Sequence, residues 1–216
     1  GIPTAQYLSQ KNIVPFLKVD EGLAEEENGV QLMKPLAGLT ARLASANEHG
    51  IFGTKMRSVI QSANPEGIAA IVAQQFAVGN EIIDAGLMPI LEPEVNIKSA
   101  DKAACEVLLH EELLKSLDVL PEDRQVMLKL TLPEEANLYS DVIAHPRVLR
   151  VVALSGGYSR DDANTKLAAN NSMTASFSRA LVQDLRIDQS EKEFTAALDS
   201  AIDSIYQASV SEAVSV

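Results

Sequence analysis

Cysteine is nearly absent from this chain of 216 residues: Cys105 stands alone, so no disulfide can form within the chain. Its place in a helical pattern gives it the part of a small buried residue. Long apolar runs are missing too. No stretch approaches the roughly 20 residues needed to span a bilayer, and the first residues lack the charged and apolar regions of a signal peptide, so the expected compartment is the cytoplasm. Positive charge is scarce. Lys and Arg number 18 against 30 Asp and Glu, a formal net charge of −12, which argues against non-specific nucleic-acid or membrane binding. His49, His110 and His145 are far apart, with no HExxH pattern and no companion cysteines, so no metal site is expected. A P-loop, a GxGxxG fingerprint and a GxSxG elbow are all absent, which leaves nucleotide chemistry and serine hydrolysis without support. Neither a metal nor a cofactor is expected.

What is present is a hydrophobic content of 46%, enough for one sizeable core and a single domain over residues 1–216. Acidic runs such as Glu25 to Glu27 and Asp161 with Asp162 read as solvated surface. Short apolar runs alternate with amphipathic helices, the signature of an α/β protein with a parallel sheet. Strands are expected near 14–19, 51–57, 87–95, 125–131, 148–155 and 174–178. A helix over 66–85 should end at Gly86. Ser190 with Glu193 forms a capping box, and Phe194, Leu198, Ile202 and Ile205 make an apolar stripe expected to pack along a final helix. Pro3 opens a short helix over 3–11. Strands of this kind close into a (β/α)8 TIM barrel with its active site at their carboxyl ends. About six of the eight strand-helix units are present, so the chain reads as the C-terminal portion of such a barrel. The open edges of a partial barrel invite pairing with another chain, including a homo-oligomer.

Four charges interrupt these apolar runs at one interval: Lys18, Lys55, Glu92 and Lys129, with 55 − 18 = 37, 92 − 55 = 37 and 129 − 92 = 37. A charge in a buried strand is costly unless it is paired or used. Four at one period point to one shared site. Three carry a second charge two residues on, Lys18 with Asp20, Lys55 with Arg57 and Glu92 with Glu94, and positions i and i+2 share a strand face. A polar barrel interior near its catalytic mouth has this character.

Lys129 lies among Met127, Leu128, Leu130 and Leu132, so its side chain leaves an apolar strand for a confined space. Confinement and a neighbouring cation such as Lys55 both favour a neutral amine, which can attack a carbonyl and form a Schiff base. The same lysine could instead snorkel to solvent or pair with a carboxylate. Glu92 and Glu94 put two carboxylates on one face, where one could donate and accept protons as a carbinolamine forms and dehydrates. Balancing Lys18, Lys55 and Arg57 is the other use for them. Ser155, Gly156 and Gly157 follow an apolar run and precede a helix opened by Ser159, a place where backbone N–H groups can approach an anion. Arg179 could add the bidentate contact that phosphate oxygens prefer.

The segments VPFLKVDEGL, GVQLMKP, IFGTKMRSVI, PILEPEVNI, VMLKLTLP, VVALSGGYSR and ASFSRAL, in this order, resemble the strand motifs of bacterial class I fructose-1,6-bisphosphate aldolase over essentially the whole chain. The resemblance implies reversible cleavage of a sugar bisphosphate without a metal. It implies Lys129 as the Schiff-base lysine, Glu92 as the acid-base glutamate, Glu94 as its acidic companion and Lys55 as an assistant beside the scissile bond. Arg57 and Lys18 correspond to cations of the substrate channel, and Ser155, Gly156, Gly157 and Arg179 to the phosphate site nearest the ketone. Two features depart from the family. Its first-strand aspartate has no counterpart, since Asp20 belongs to a later strand. The C-terminal tyrosine of the animal enzymes is also unmatched, because the chain ends SVSEAVSV and Tyr206 lies inside the final helix. Related readings are a transaldolase-like or other Schiff-base aldolase for a different sugar phosphate, and a barrel fragment without catalysis.

Overall fold

The computed structural model describes residues 1–211; residues 212–216, which end the terminal SVSEAVSV run, lie outside the described residues. In chain order the elements are α1 (Thr4–Gln10), β1 (Phe16–Lys18), β2 (Val30–Gln31), α2 (Leu39–Glu48), β3 (Gly53–Ile60), α3 (Pro65–Asp84), β4 (Met88–Val95), α4 (Lys102–Asp118), β5 (Val126–Thr131), α5 (Ser140–Ala144), β6 (Val148–Leu154), α6 (Arg160–Ala168), β7 (Thr174–Ala175) and α7 (Glu191–Val210). Six strands pair in parallel in the order β1-β3-β4-β5-β6-β7, and β2 returns antiparallel on β3. Parallel neighbours need a crossover, and helices supply it here. The architecture is a partial (β/α)8 barrel, and all six expected strands are present. The two-residue β2 is too short for its sequence to announce.

Local chemistry sets the boundaries. The Asn64 side chain accepts from the Gly67 N–H at 3.0 Å and Pro65 occupies the first turn, so α3 starts there. It stops where Gly86 takes φ +80°, a left-handed conformation that glycine adopts at little cost. At α7 both halves of the Ser190–Glu193 capping box form.

Alternation along the strands divides the two faces of the sheet. Met56, Ile60, Leu91, Val95, Leu128 and Leu130 are fully buried in one core with Ile68, Ile71 and Val72 of α3 and Leu109 and Leu113 of α4. Truncating one such side chain to alanine costs about 2–5 kcal/mol. Lys55, Arg57, Glu92 and Lys129 have the opposite parity and face the inside of the curve. Cys105 is buried in this core, as its pattern predicts.

The expectation for the final stripe needs correction. Phe194 and Ile202 are 40% and 47% exposed, and Leu198 and Ile205 are half-buried. The helix turns its small residues Ala201 and Ala208 inward instead, so α7 seats close to α6 and β7. Ile202 and Ile205, with Phe177 and Leu181, line an open cleft of about 300 Å³ at the β7 end of the sheet. No helix among the described residues is long and apolar enough to cross a membrane.

Candidate active site

Register explains how the four spaced charges meet. Lys18 stands opposite Lys55 across β1 and β3, and the pairs Ile90 with Met127 and Leu91 with Leu128 bring Glu92 level with Lys129. The step between β3 and β4 differs: Lys55 faces Ile90, and Arg57 faces Glu92, an offset of 90 − 55 = 35. The equal interval therefore does not put all four charges at one height. A shift of two residues preserves the face, whereas a shift of one would have turned Glu92 away from the interior. Lys55 lies one layer lower, and its long stem covers the difference.

At the centre, Glu92 is shared by two lysines. Its Oε1 lies 3.1 Å from Lys129 Nζ and its Oε2 lies 2.7 Å from Lys55 Nζ, with side-chain exposures of 5%, 17% and 22% for Glu92, Lys129 and Lys55. Lys129 is thus confined without being sealed. Glu94 turns to Arg57 at 3.2 Å, so the two glutamates are neutralised by different cations rather than by a shared proton. Thr131 Oγ1 accepts from the Val95 N–H and donates to the Val95 carbonyl, both at 2.9 Å, which ties the carboxyl ends of β4 and β5 together just above Glu92 and Lys129.

One strand further round, β6 delivers the turn of Ser155, Gly156 and Gly157. Leu154 pairs with Thr131, so Ser155 emerges beside the end of the Lys129 strand. The turn closes with the Tyr158 N–H donating to the Ser155 carbonyl at 2.8 Å, and Ser159 caps α6 by accepting from the Asp162 N–H. Gly156 and Gly157 have φ +59° and +113°. A Cβ on Gly157 would lie 3.7 Å from Arg179 Nη1, so the guanidinium stands directly over the glycine turn. Arg179 is exposed and occupies a turn beyond β7, not a helix. It makes no ion pair among the described residues. A free guanidinium above left-handed glycines suits an anion with several oxygens.

Asp20 joins the site although the sequence pattern places it only as the partner of Lys18. Its side chain is 4% exposed, with Oδ1 2.8 Å from Lys18 Nζ and Oδ2 3.6 Å from Lys55 Nζ. Burial acts to raise its pKa, yet the Lys18 hydrogen bond, the charges of Lys55 and Lys18, and the Gly22 backbone hold it below the ordinary carboxylate value. The i, i+2 spacing from Lys18 signalled a shared face. What it could not signal is that Asp20 reaches across to the neighbouring strand.

No family model matches the sequence. Among solved structures, the fold is similar to that of fructose-bisphosphate aldolase from Plasmodium falciparum, determined in complex with TRAP and a small-molecule inhibitor. The TM-score is 0.76 and the identity 22%, covering 97% of this chain and 72% of that one. A structure from Corynebacterium glutamicum matches at TM-score 0.49 and 13% identity, over 76% of this chain and 55% of that one, too distant to carry an argument. What the chain shares with the Plasmodium enzyme, at this identity, is a barrel fold.

Proposed function

We propose that this chain carries the catalytic strands of a class I, metal-independent fructose-1,6-bisphosphate aldolase of the bacterial type, a cytoplasmic lyase of glycolysis and gluconeogenesis. The observation that carries the reading is the contact of Lys129 Nζ with Glu92 at 3.1 Å, with Lys55 on the other carboxylate oxygen at 2.7 Å. Three consecutive strands contribute one group each.

In this reading the neutral amine of Lys129 attacks the ketone carbon of the substrate, forming a carbon–nitrogen bond while the carbonyl oxygen takes a proton. Glu92 donates a proton to the resulting hydroxyl, water departs and an iminium remains. The iminium accepts the electron pair of the carbon–carbon bond being broken, giving an enamine. At the same time the hydroxyl on the far carbon gives its proton to the Glu92 carboxylate, left ionised by the dehydration, and becomes the aldehyde, glyceraldehyde 3-phosphate. Protonation of the enamine carbon and hydrolysis then free dihydroxyacetone phosphate and restore Lys129. Ser155, Gly156, Gly157 and Arg179 hold the phosphate nearest the ketone. Lys18 and Arg57 draw the anionic substrate in, and Glu94 keeps Arg57 in place.

The test is to incubate the chain with fructose 1,6-bisphosphate, add borohydride and locate the modified residue by peptide mass spectrometry. A reduced adduct on Lys129, absent from Lys129→Met, is expected. Adduct formation at another lysine, or none, overturns the reading. A panel of phosphorylated sugars in the same assay separates it from a transaldolase-like enzyme for another substrate.

A further inference from the structure

Asp20 is a buried carboxylate that the proposed reaction does not use. Lys18 covers one side of it, pairing with Oδ1 and donating to the Asp20 carbonyl at 2.6 Å. Oδ2 is buried and has no hydrogen-bond partner among the described residues. Leaving such an oxygen unsatisfied inside a protein is unfavourable, and the cation facing it is Lys55 at 3.6 Å. The segment is fixed in that direction, because the Val19 N–H donates to the Lys55 carbonyl at 3.0 Å.

Lys18 alone does not explain the arrangement. Its side chain is 59% exposed, against 22% for Lys55, so water can solvate the Lys18 charge without help. The confined cation is Lys55. The charged groups around it are Asp20 on the β1 side and Glu92 on β4, with Lys18 beyond the first, Lys129 beyond the second, and Arg57 two residues along β3 already neutralised by Glu94. Signs alternate along Lys18, Asp20, Lys55, Glu92 and Lys129. Without Asp20, Lys55 and Lys129 would depend on one buried carboxylate between them.

We infer that Asp20 is a positioning residue: it holds the Lys55 side chain between two carboxylates, so that one oxygen of Glu92 stays committed to Lys129. The inference rests on the proposed function for its catalytic meaning, but the hold it assigns to Asp20 on Lys55 can be read without any substrate.

The first measurement is trace acylation of the intact chain with a lysine reagent, scored at Lys55 relative to exposed Lys192 by peptide mass spectrometry. Asp20 is one of the two carboxylates that hold the Lys55 side chain, so Asp20→Asn should raise Lys55 labelling several-fold, and Asp20→Glu should restore it. Unchanged Lys55 labelling in Asp20→Asn overturns the inference. Buried Lys102 reports general opening, since it is labelled only if the fold loosens; in that event Asp20→Ser, which leaves a small hydroxyl, decides the matter by the same criteria. The second measurement is the saturating rate of Lys129 adduct formation in Asp20→Asn, Lys55→Met and the double variant. A residue acting through Lys55 adds no further loss once Lys55 is gone, whereas additive losses count against it. If the unaltered chain forms no adduct at all, the aldolase reading fails while the labelling result still decides the role of Asp20.

Discussion

Among the described residues, one buried cluster of lysine and carboxylate lies inside the curve of the sheet and another on its helix side, and they are finished differently. On the helix side, Lys102 of α4 is 5% exposed and Glu106 is 0% exposed. The Lys102 ammonium contacts Glu106 Oε1, the Leu132 carbonyl at 2.9 Å and Glu134 Oε1 at 3.1 Å, which uses all three of its donors. Glu106 Oε2 accepts from the Glu134 N–H at 2.9 Å, and Glu134 also takes Lys166 and Tyr158. In the interior cluster, Asp20 Oδ2 and Glu92 Oε2 have no aligned donor although cations stand beside them. Closed valences make a clamp that pins the loop after β5 to α4. Unfilled valences leave the interior cluster open to rearrangement. Burial of charge is common to both clusters, so it does not by itself mark a site; incomplete satisfaction at an opening does.

The comparison breaks most sharply at its two lysines. Lys102→Met strands Glu106 in the core and should cost about 3–5 kcal/mol in a urea melt. Burial already holds the Glu106 pKa above its ordinary value, ahead of what Lys102 and the Glu134 N–H recover, so the penalty should grow as pH rises toward neutral. Lys129→Met, by contrast, leaves Glu92 paired with Lys55 and should cost under about 1 kcal/mol, within the range of substitutions that strand no buried charge, while abolishing adduct formation. Equal stability losses at the two positions would remove the distinction between clamp and site.

At the anion turn, Arg179→Ala should weaken bisphosphate binding about 10- to 100-fold, the loss of charge-assisted hydrogen bonds worth roughly 1.5–3 kcal/mol. Titration calorimetry reads it, and unaltered affinity would put the phosphate elsewhere. Gly156→Ala forces φ +59° on alanine and sets its Cβ 2.7 Å from Ile97 Cγ2, a strain of about 1–3 kcal/mol visible as a lower thermal midpoint.

The smallest effect concerns acid. Burial acts to raise the Glu134 pKa, but hydrogen bonds from Lys102 and Lys166 outweigh it and lower the value to about 2 from 4.5. A depressed carboxylate stabilises the fold above its unfolded value, and that stability is lost as pH falls from 4.5 through about 2. In Glu134→Gln the slope of thermal midpoint against pH across this window should flatten. The effect is limited because the side chain is 44% exposed and screened by water. An unchanged slope would assign the acid sensitivity to another group.

The sequence made the strands legible because a parallel strand buried on one face and polar on the other leaves a recognisable run with a charge at a fixed parity. Lys55, Glu92 and Lys129 could be picked out on that ground. The Lys102–Glu106 clamp is not legible in the sequence, since an i, i+4 lysine–glutamate pair in a helix has the pattern of solvated surface. The apolar stripe of α7 misled for a related reason: periodicity shows that a helix has a face, while the rotation that seats Ala201 and Ala208 depends on neighbours far along the chain.

The sequence by itself determined the order of the six parallel strands, the stop of α3 at Gly86, the capping box of α7, and which charges share a strand face, because these follow from φ/ψ preferences and side-chain periodicity within a few residues. Only the tertiary structure decided how those charges meet. The offset of two residues between β3 and β4, the reach of Asp20 to Lys55, and the placement of Arg179 over Gly157 arise from strand stagger and chain closure. Those are distances across the sheet, and no local spacing encodes them.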